Sequence, residues 1–248
     1  MKKYFAKAFL GLCALGTSTV AFAQEAAEAA QPAVESGMHQ ALKTKFIEGG
    51  ADFMSLVAIA LIFGLAFCLE RIIYLNLAET NPSKLLKGIE EALDRGDVEA
   101  AKTIARDTRG PIASIAYQGL MRIDQGVDIV EKSIVSYGGV QGGLLEKNLS
   151  WVTLFIAMAP SLGFLGTVVG MIMAFDKIEQ VGDISPTVVA SGMKVALITT
   201  VGGLIVALIL QIFYNYLLSK LESILNQMED ASISLIDLVI KYNLKFKK

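Results

Sequence analysis

Three stretches of this chain are too long and too apolar to be wrapped inside a globule. FMSLVAIALIFGLAFCL begins at Phe53, WVTLFIAMAPSLGFLGTVVGMIMAF runs from Trp151 to Phe175, and TVVASGMKVALITTVGGLIVALILQIFYNYLL runs from Thr187 to Leu218. At about 1.5 Å of rise per residue, about 20 helical residues cross the roughly 30 Å hydrocarbon layer of a bilayer. Lipid offers backbone amides no hydrogen-bond partner, so a single segment that crosses must be a helix. The fold class predicted is therefore an all-α membrane protein with transmembrane helices over residues 52–75, 151–175 and 187–218. Composition agrees, since 54% of the 248 residues are hydrophobic and 19% are charged, well outside the usual soluble range.

The segments between the runs fix the expected orientation. Residues 1–23 carry Lys2, Lys3 and Lys7, then an apolar stretch, then Ala21-Phe22-Ala23, the layout of a signal peptide with its cleavage site. Residues 24–51 are expected as a periplasmic leader, and their opening stretch, residues 24–36 (QEAAEAAQPAVES), has little to pack and is expected to be mobile. The first run closes on Glu70-Arg71, and its basic end is expected to face the cytoplasm. Residues 76–150 then form a cytoplasmic helical domain, residues 176–186 a short acidic periplasmic loop, and residues 219–248 an amphipathic cytoplasmic tail.

Within 76–150, apolar residues recur at spacings of three and four, broken at Arg95-Gly96-Asp97, Arg109-Gly110-Pro111 and Gln125-Gly126. Each break sets a glycine just past one helix, and Asp97 is placed to cap the next. The glycine-rich Gly138–Gly143 segment lacks the Gly-Lys-Ser/Thr ending and the preceding strand of a phosphate loop, so it is expected as a loop or a weakened helix.

Several kinds of chemistry are excluded by what the chain lacks. Its one histidine is His39 and its cysteines are Cys13 and Cys68, which gives no thiolate cluster, no histidine metal centre and no disulfide framework. No catalytic residue, metal or cofactor is predicted. The net charge of −2 argues against a nucleic-acid partner.

The informative feature is the kind of residue inside the second and third runs. Thr153, Pro160, Gly163, Thr167 and Ala174 fall on one side of the second, and Ala196, Thr200, Gly203, Ala207, Gln211 and Asn215 form a small and polar stripe on the third. Two readings fit. Small residues let helices pack closely, as Gly166-xxx-Gly170 suggests, with Pro160, Gly163 and Gly203 in the same role. Alternatively, the hydroxyls and amides border a narrow wet lumen. Gln211 and Asn215 extend the threonine face for more turns than a dry contact needs, which favours the second reading. The runs hold no acid at depth, and Lys194, their one inner charge, is placed to snorkel to the outer interface. A proton relay needs a membrane acid, so protons moving along this face require a carboxylate from a partner.

The stretches LDRGDVEAAKTIARDTRGPIASIAYQGL, LEKNLSWVTLFIAMAPSLGFLGTVVGMIMAF and ALITTVGGLIVALILQIFYN resemble the ExbB, TolQ and MotA proton-channel subunits of bacterial inner membranes, ExbB most closely. The resemblance covers most of residues 50 to 220. It implies a homopentamer in membrane lipid whose second and third helices enclose a lumen. The lumen would hold an ExbD-like one-span subunit that supplies a membrane aspartate, the whole driving a TonB-like protein. It further implies that Thr167 and Thr200 face that aspartate, with Thr199 and Gln211 on the proton path and Asn215 near the cytoplasmic mouth. The acid that such proteins often carry ahead of the paired threonines falls near Val195 here, beside Lys194, and a proline often found further on is Ile209.

Overall fold

The computed structural model describes residues 38–182 and 186–246, so the expected signal peptide and most of the leader lie outside the described residues. The chain forms two compact units, residues 1–47 and 48–248. What is described of the first is helix α1 (Met38–Glu48), which ends at the boundary. The stretch expected to be mobile, residues 24–36, lies outside the described residues.

The second unit is built from α2 (Ala51–Ala78), α3 (Pro82–Asp94), α4 (Val98–Asp107), α5 (Pro111–Leu120), a 3-10 turn (Ile123–Gln125), α6 (Val127–Glu146), α7 (Leu149–Val181) and α8 (Pro186–Phe246). No strand occurs among the described residues. Three helices, α2, α7 and α8, are long and apolar enough to cross a membrane.

The breaks in the helical domain follow local chemistry. Gly96, Gly110 and Gly126 adopt φ of 80°, 114° and 104°, a region closed to most side chains. Asp97 accepts a hydrogen bond from the Ala100 amide at 2.9 Å and caps α4. Pro82 and Pro111 occupy first-turn positions, where a missing N–H costs nothing. At Gly110 a side chain would also collide with Thr80, whose hydroxyl donates to the Arg109 carbonyl at 2.6 Å.

The long helices alternate in direction. Gly50, just ahead of α2, and Met54 and Gly64 within it lie beside Val195, Gly202 and Leu210 of α8, so those two run parallel. Phe63 and Phe67 of α2 stack on Phe155 and Trp151 of α7, at ring separations of 6.2 and 5.9 Å, so α7 runs the other way. With 61 residues, α8 is about 90 Å long, three times the hydrocarbon thickness. Its second half is the spine of the helical domain. Leu217, Leu221, Ile224, Met228, Ala231, Leu235 and Val239 are all buried along it, and Leu86, Ile112, Ile115 and Ala116 of α3 and α5 close over its centre.

Two expectations change, and a third resolves to one of its two alternatives. The third run and the tail are one helix: nothing between Leu218 and Ser219 breaks it, because a fall in hydropathy is not a stop signal for the backbone. The second run continues helically to Val181, ending at Gly182 with φ of 73°, so little of the expected 176–186 loop remains. The Gly138–Gly143 segment is helical within α6, held by neighbouring buried Val130, Ile134 and Leu145 and by Gly142 against Leu225.

Candidate functional site

The pairing of α7 with α8 sets the geometry of everything else. Ala159, Gly163, Gly166, Gly170 and Ala174 on α7 face Gly192, Ala196, Thr199 and Gly203 on α8, and all are buried. The helices touch through their backbones. A Cβ built at Gly203 would stand 2.5 Å from the Ala159 carbonyl oxygen, and one at Gly163 would stand 3.0 Å from that of Thr199. Gly170 meets the Ala196 amide nitrogen at 3.2 Å in the same way. Such contact is how membrane helices associate when lipid tails are as apolar as the side chains they replace.

This seam divides the residues singled out in the sequence. Gly163, Gly166, Gly170 and Gly203 lie in it, and Pro160 is half-buried at its edge. Thr199 lies in it too, 1% exposed, its side chain against Gly166 and its hydroxyl donating to the Ala196 carbonyl at 2.8 Å. Within the chain Thr199 therefore borders the neighbouring helix and not an open face. Thr200, about 100° further round, is half-buried, and its hydroxyl lies 3.4 Å from the Gly163 carbonyl and 3.3 Å from that of Ala196.

The other expected residues stand on the open flank of the hairpin. Thr167 lies one residue beyond the Gly166 that meets Thr199 and one helical turn from the Gly163 whose carbonyl Thr200 reaches; its hydroxyl donates back to the Phe164 carbonyl. Such i−3 and i−4 bonds satisfy a hydroxyl inside an apolar helix, and Thr153 and Ser161 do the same. Further down α8, Gln211 and Asn215 are joined side chain to side chain at 3.4 Å. Between Thr200 and this pair, exposed Leu204 and Leu208 interrupt the polar stripe, so the chain joins Gln211 with Asn215 but keeps that pair apart from Thr200.

Charge sits only at the margins. Lys194 pairs with Glu48 at 2.9 Å, with 53% and 29% of the two side chains exposed. Val195 touches Gly50, so Lys194 is level with the start of α2 and lies at the bundle's margin, not its depth. No group of three His, Cys, Asp or Glu side chains able to hold a metal occurs among the described residues.

Sequence patterns gave no warning of the polar cluster at the opposite end of α2. Arg71 is 3% exposed, clasped by Glu70 at 2.6 and 2.8 Å, with its guanidinium 4.4 Å from the centre of the Tyr74 ring. Glu70 also accepts from Asn148 at 3.3 Å. The spacing of Arg71 to Tyr74, one helical turn, was the available signal.

Comparison with known proteins agrees with this architecture. The profile of the MotA/TolQ/ExbB proton channel family matches residues 107–230, which contain the whole α7 helix and most of α8. A putative biopolymer transport protein ExbB homolog from Methanothermobacter thermautotrophicus is 28% identical over 186 residues, 74% of this chain and 65% of that protein. Biopolymer transport proteins exbB1 of Vibrio cholerae and ExbB of Aquifex aeolicus are 37% and 36% identical over 89 and 78 residues. Those two matches cover 33% and 32% of this chain, and 39% and 53% of the respective proteins. The chain thus matches less than two thirds of the length of each relative. The family profile and the three long apolar helices together make this a multi-pass membrane protein, and the chain belongs to the MotA/TolQ/ExbB proton channel family, on its ExbB-like side.

Proposed function

We propose that this chain is the ExbB-like subunit of a bacterial inner-membrane motor driven by the proton-motive force. Its N-terminus lies in the periplasm, and its helical domain and C-terminus lie in the cytoplasm. Five copies surround a lumen bordered by the open flanks of α7 and α8. An ExbD-like one-span subunit in the lumen supplies the membrane aspartate, and the assembly energises a TonB-like protein for transport across the outer membrane.

One observation supports this reading: Thr167 and Thr200 are half-buried beside the α7–α8 seam, about one helical turn apart, on helices that offer no acid at depth. A hydroxyl pair can donate to or accept from a carboxylate as it gains and loses a proton, whereas a chain without a membrane acid cannot relay protons alone. A membrane potential of about 100 mV gives each proton about 2.3 kcal/mol, enough to bias a movement coupled to protonation. Beyond Leu204 and Leu208, Gln211 and Asn215 form a second polar patch toward the cytoplasmic mouth. Thr199 is assigned to packing.

A passive scaffold is the second reading, favoured by the seam itself, since most of the small residues are occupied within one chain. A TolQ-like subunit serving envelope integrity shares the same geometry. Thr167→Val and Thr200→Val separate motor from scaffold, because each keeps the side-chain shape and removes the hydroxyl. The motor reading expects either change to reduce partner-dependent, energised uptake at least about 100-fold while the complex still purifies intact. A scaffold leaves uptake unchanged in both.

A further inference from the structure

The junction between α6 and α7 is a single-residue break placed where the helical domain meets the membrane bundle. Helix α6 ends at Glu146, Lys147 is extended, and Asn148 adopts φ of 67° and ψ of −4° before α7 begins at Leu149. Asn148 is the one non-glycine residue with positive φ among those described. Asparagine tolerates this region better than most residues, yet glycine is the ordinary occupant.

What distinguishes Asn148 is its partner. Its side-chain amide donates to Glu70 of α2, 78 positions earlier in the chain. The same carboxylate clasps Arg71 with both oxygens, and the buried guanidinium reaches the Leu144 carbonyl, in the last turn of α6, at 3.5 Å. That carbonyl is one of those a helix C-terminus leaves without an internal partner, at the negative end of its dipole. Two adjacent residues of α2 thus hold both sides of the break: Arg71 holds the end of α6, and Glu70 holds the joint residue itself.

We propose that Asn148 is an elbow between the helical domain and the membrane-crossing α7, and that Glu70 and Arg71 are the catch that fixes its angle. Displacement of α7 in the membrane then reaches α6, and displacement of α6 reaches α7, through a joint whose stiffness is set by α2. Glu70, Arg71 and Asn148 act as positioning residues and need not touch any proton or partner. The inference does not depend on the motor reading.

Hydrogen exchange on the full chain in lipid nanodiscs tests it. Asn148→Gly keeps a residue at home in the left-handed region and removes only the bond to Glu70. Glu70→Gln keeps the shape but loses the charge that holds Arg71. The elbow predicts that each change speeds exchange of amides 145–151 at least 10-fold while amides 221–239 of α8 keep their wild-type rates. If Asn148 is merely a helix cap, glycine leaves residues 145–151 unchanged or slower, and that result overturns the proposal. A rise spread equally into 221–239 also overturns it, since the loss is then global and not local to the joint.

Discussion

The two halves of α8 are packed by opposite means. Toward its N-terminus it meets α7 through Gly192, Ala196, Thr199 and Gly203, with backbones in contact and almost no apolar side-chain area between them. From Leu217 to Val239 the same helix buries leucine, isoleucine and methionine among the helices around it. The difference is the one that the proposed topology, lipid around the first half and water around the second, would produce. In water, burying large apolar side chains contributes about 25 cal/mol per Å². In lipid that gain vanishes between helices, and close backbone contact is what remains. On the proposed topology, a single uninterrupted helix thus carries the change from one medium to the other in the sizes of its buried residues.

The largest expected effect breaks the seam. In Gly203→Leu the new Cβ would stand 2.5 Å from a backbone oxygen of α7, which cannot move aside as a side-chain tip can. Overpacking of this kind costs typically 1–3 kcal/mol per site, and more against rigid backbone. We expect a loss of more than about 3 kcal/mol, read as loss of the monodisperse folded chain in detergent. In the other half, Leu235→Ala removes a side chain only 1% exposed and is expected to cost about 2–5 kcal/mol by the lost burial and the cavity left. Titration with denaturing detergent measures it. An equal tolerance of enlargement in both halves would erase the contrast.

The smallest effect lies at the far end of α8. The carboxylates of Glu90 and Asp94, each 3.1 Å from Lys241, hold its amine above the ordinary lysine range. The unfolded amine lacks these partners, so the pairing stabilises the fold below about pH 10.4 and that contribution fades as pH rises through the raised value. Because the pair is exposed, Lys241→Met is expected to change stability little at neutral pH. It should also flatten the decline of stability in strong alkali, as a melting series from pH 8 to 11 would show.

What could be read from the sequence followed from local rules. Gly96, Gly110 and Gly126 announced helix ends because each supplies a positive φ, and Asp97 announced a cap because its carboxylate can reach the third amide ahead. The apolar runs announced crossings because length and hydropathy suffice. Thr199 and Thr200 could not be told apart, for neighbours on a helix differ by about 100°, and only Gly166 on the opposite helix decides which one enters the seam. Whether Gly138–Gly143 is a loop or a helix is not legible locally, since Gly142 packs near Leu225 of α8, more than 80 positions away. Arg71 was legible as the end of a run, but its burial depends on Glu70, Tyr74 and the end of α6 meeting around it.

The central claim is that the Thr167–Thr200 flank borders water and a partner helix, not acyl chains. Single cysteines at Thr167→Cys and Thr200→Cys, in the native membrane and with Cys13 and Cys68 replaced by alanine, can be exposed to a small water-soluble maleimide with and without the one-span partner. The account predicts labelling at both positions when the partner is absent and protection of at least about tenfold when it is present. Labelling at neither position under either condition, with both open only to a lipid-soluble reagent, would contradict it.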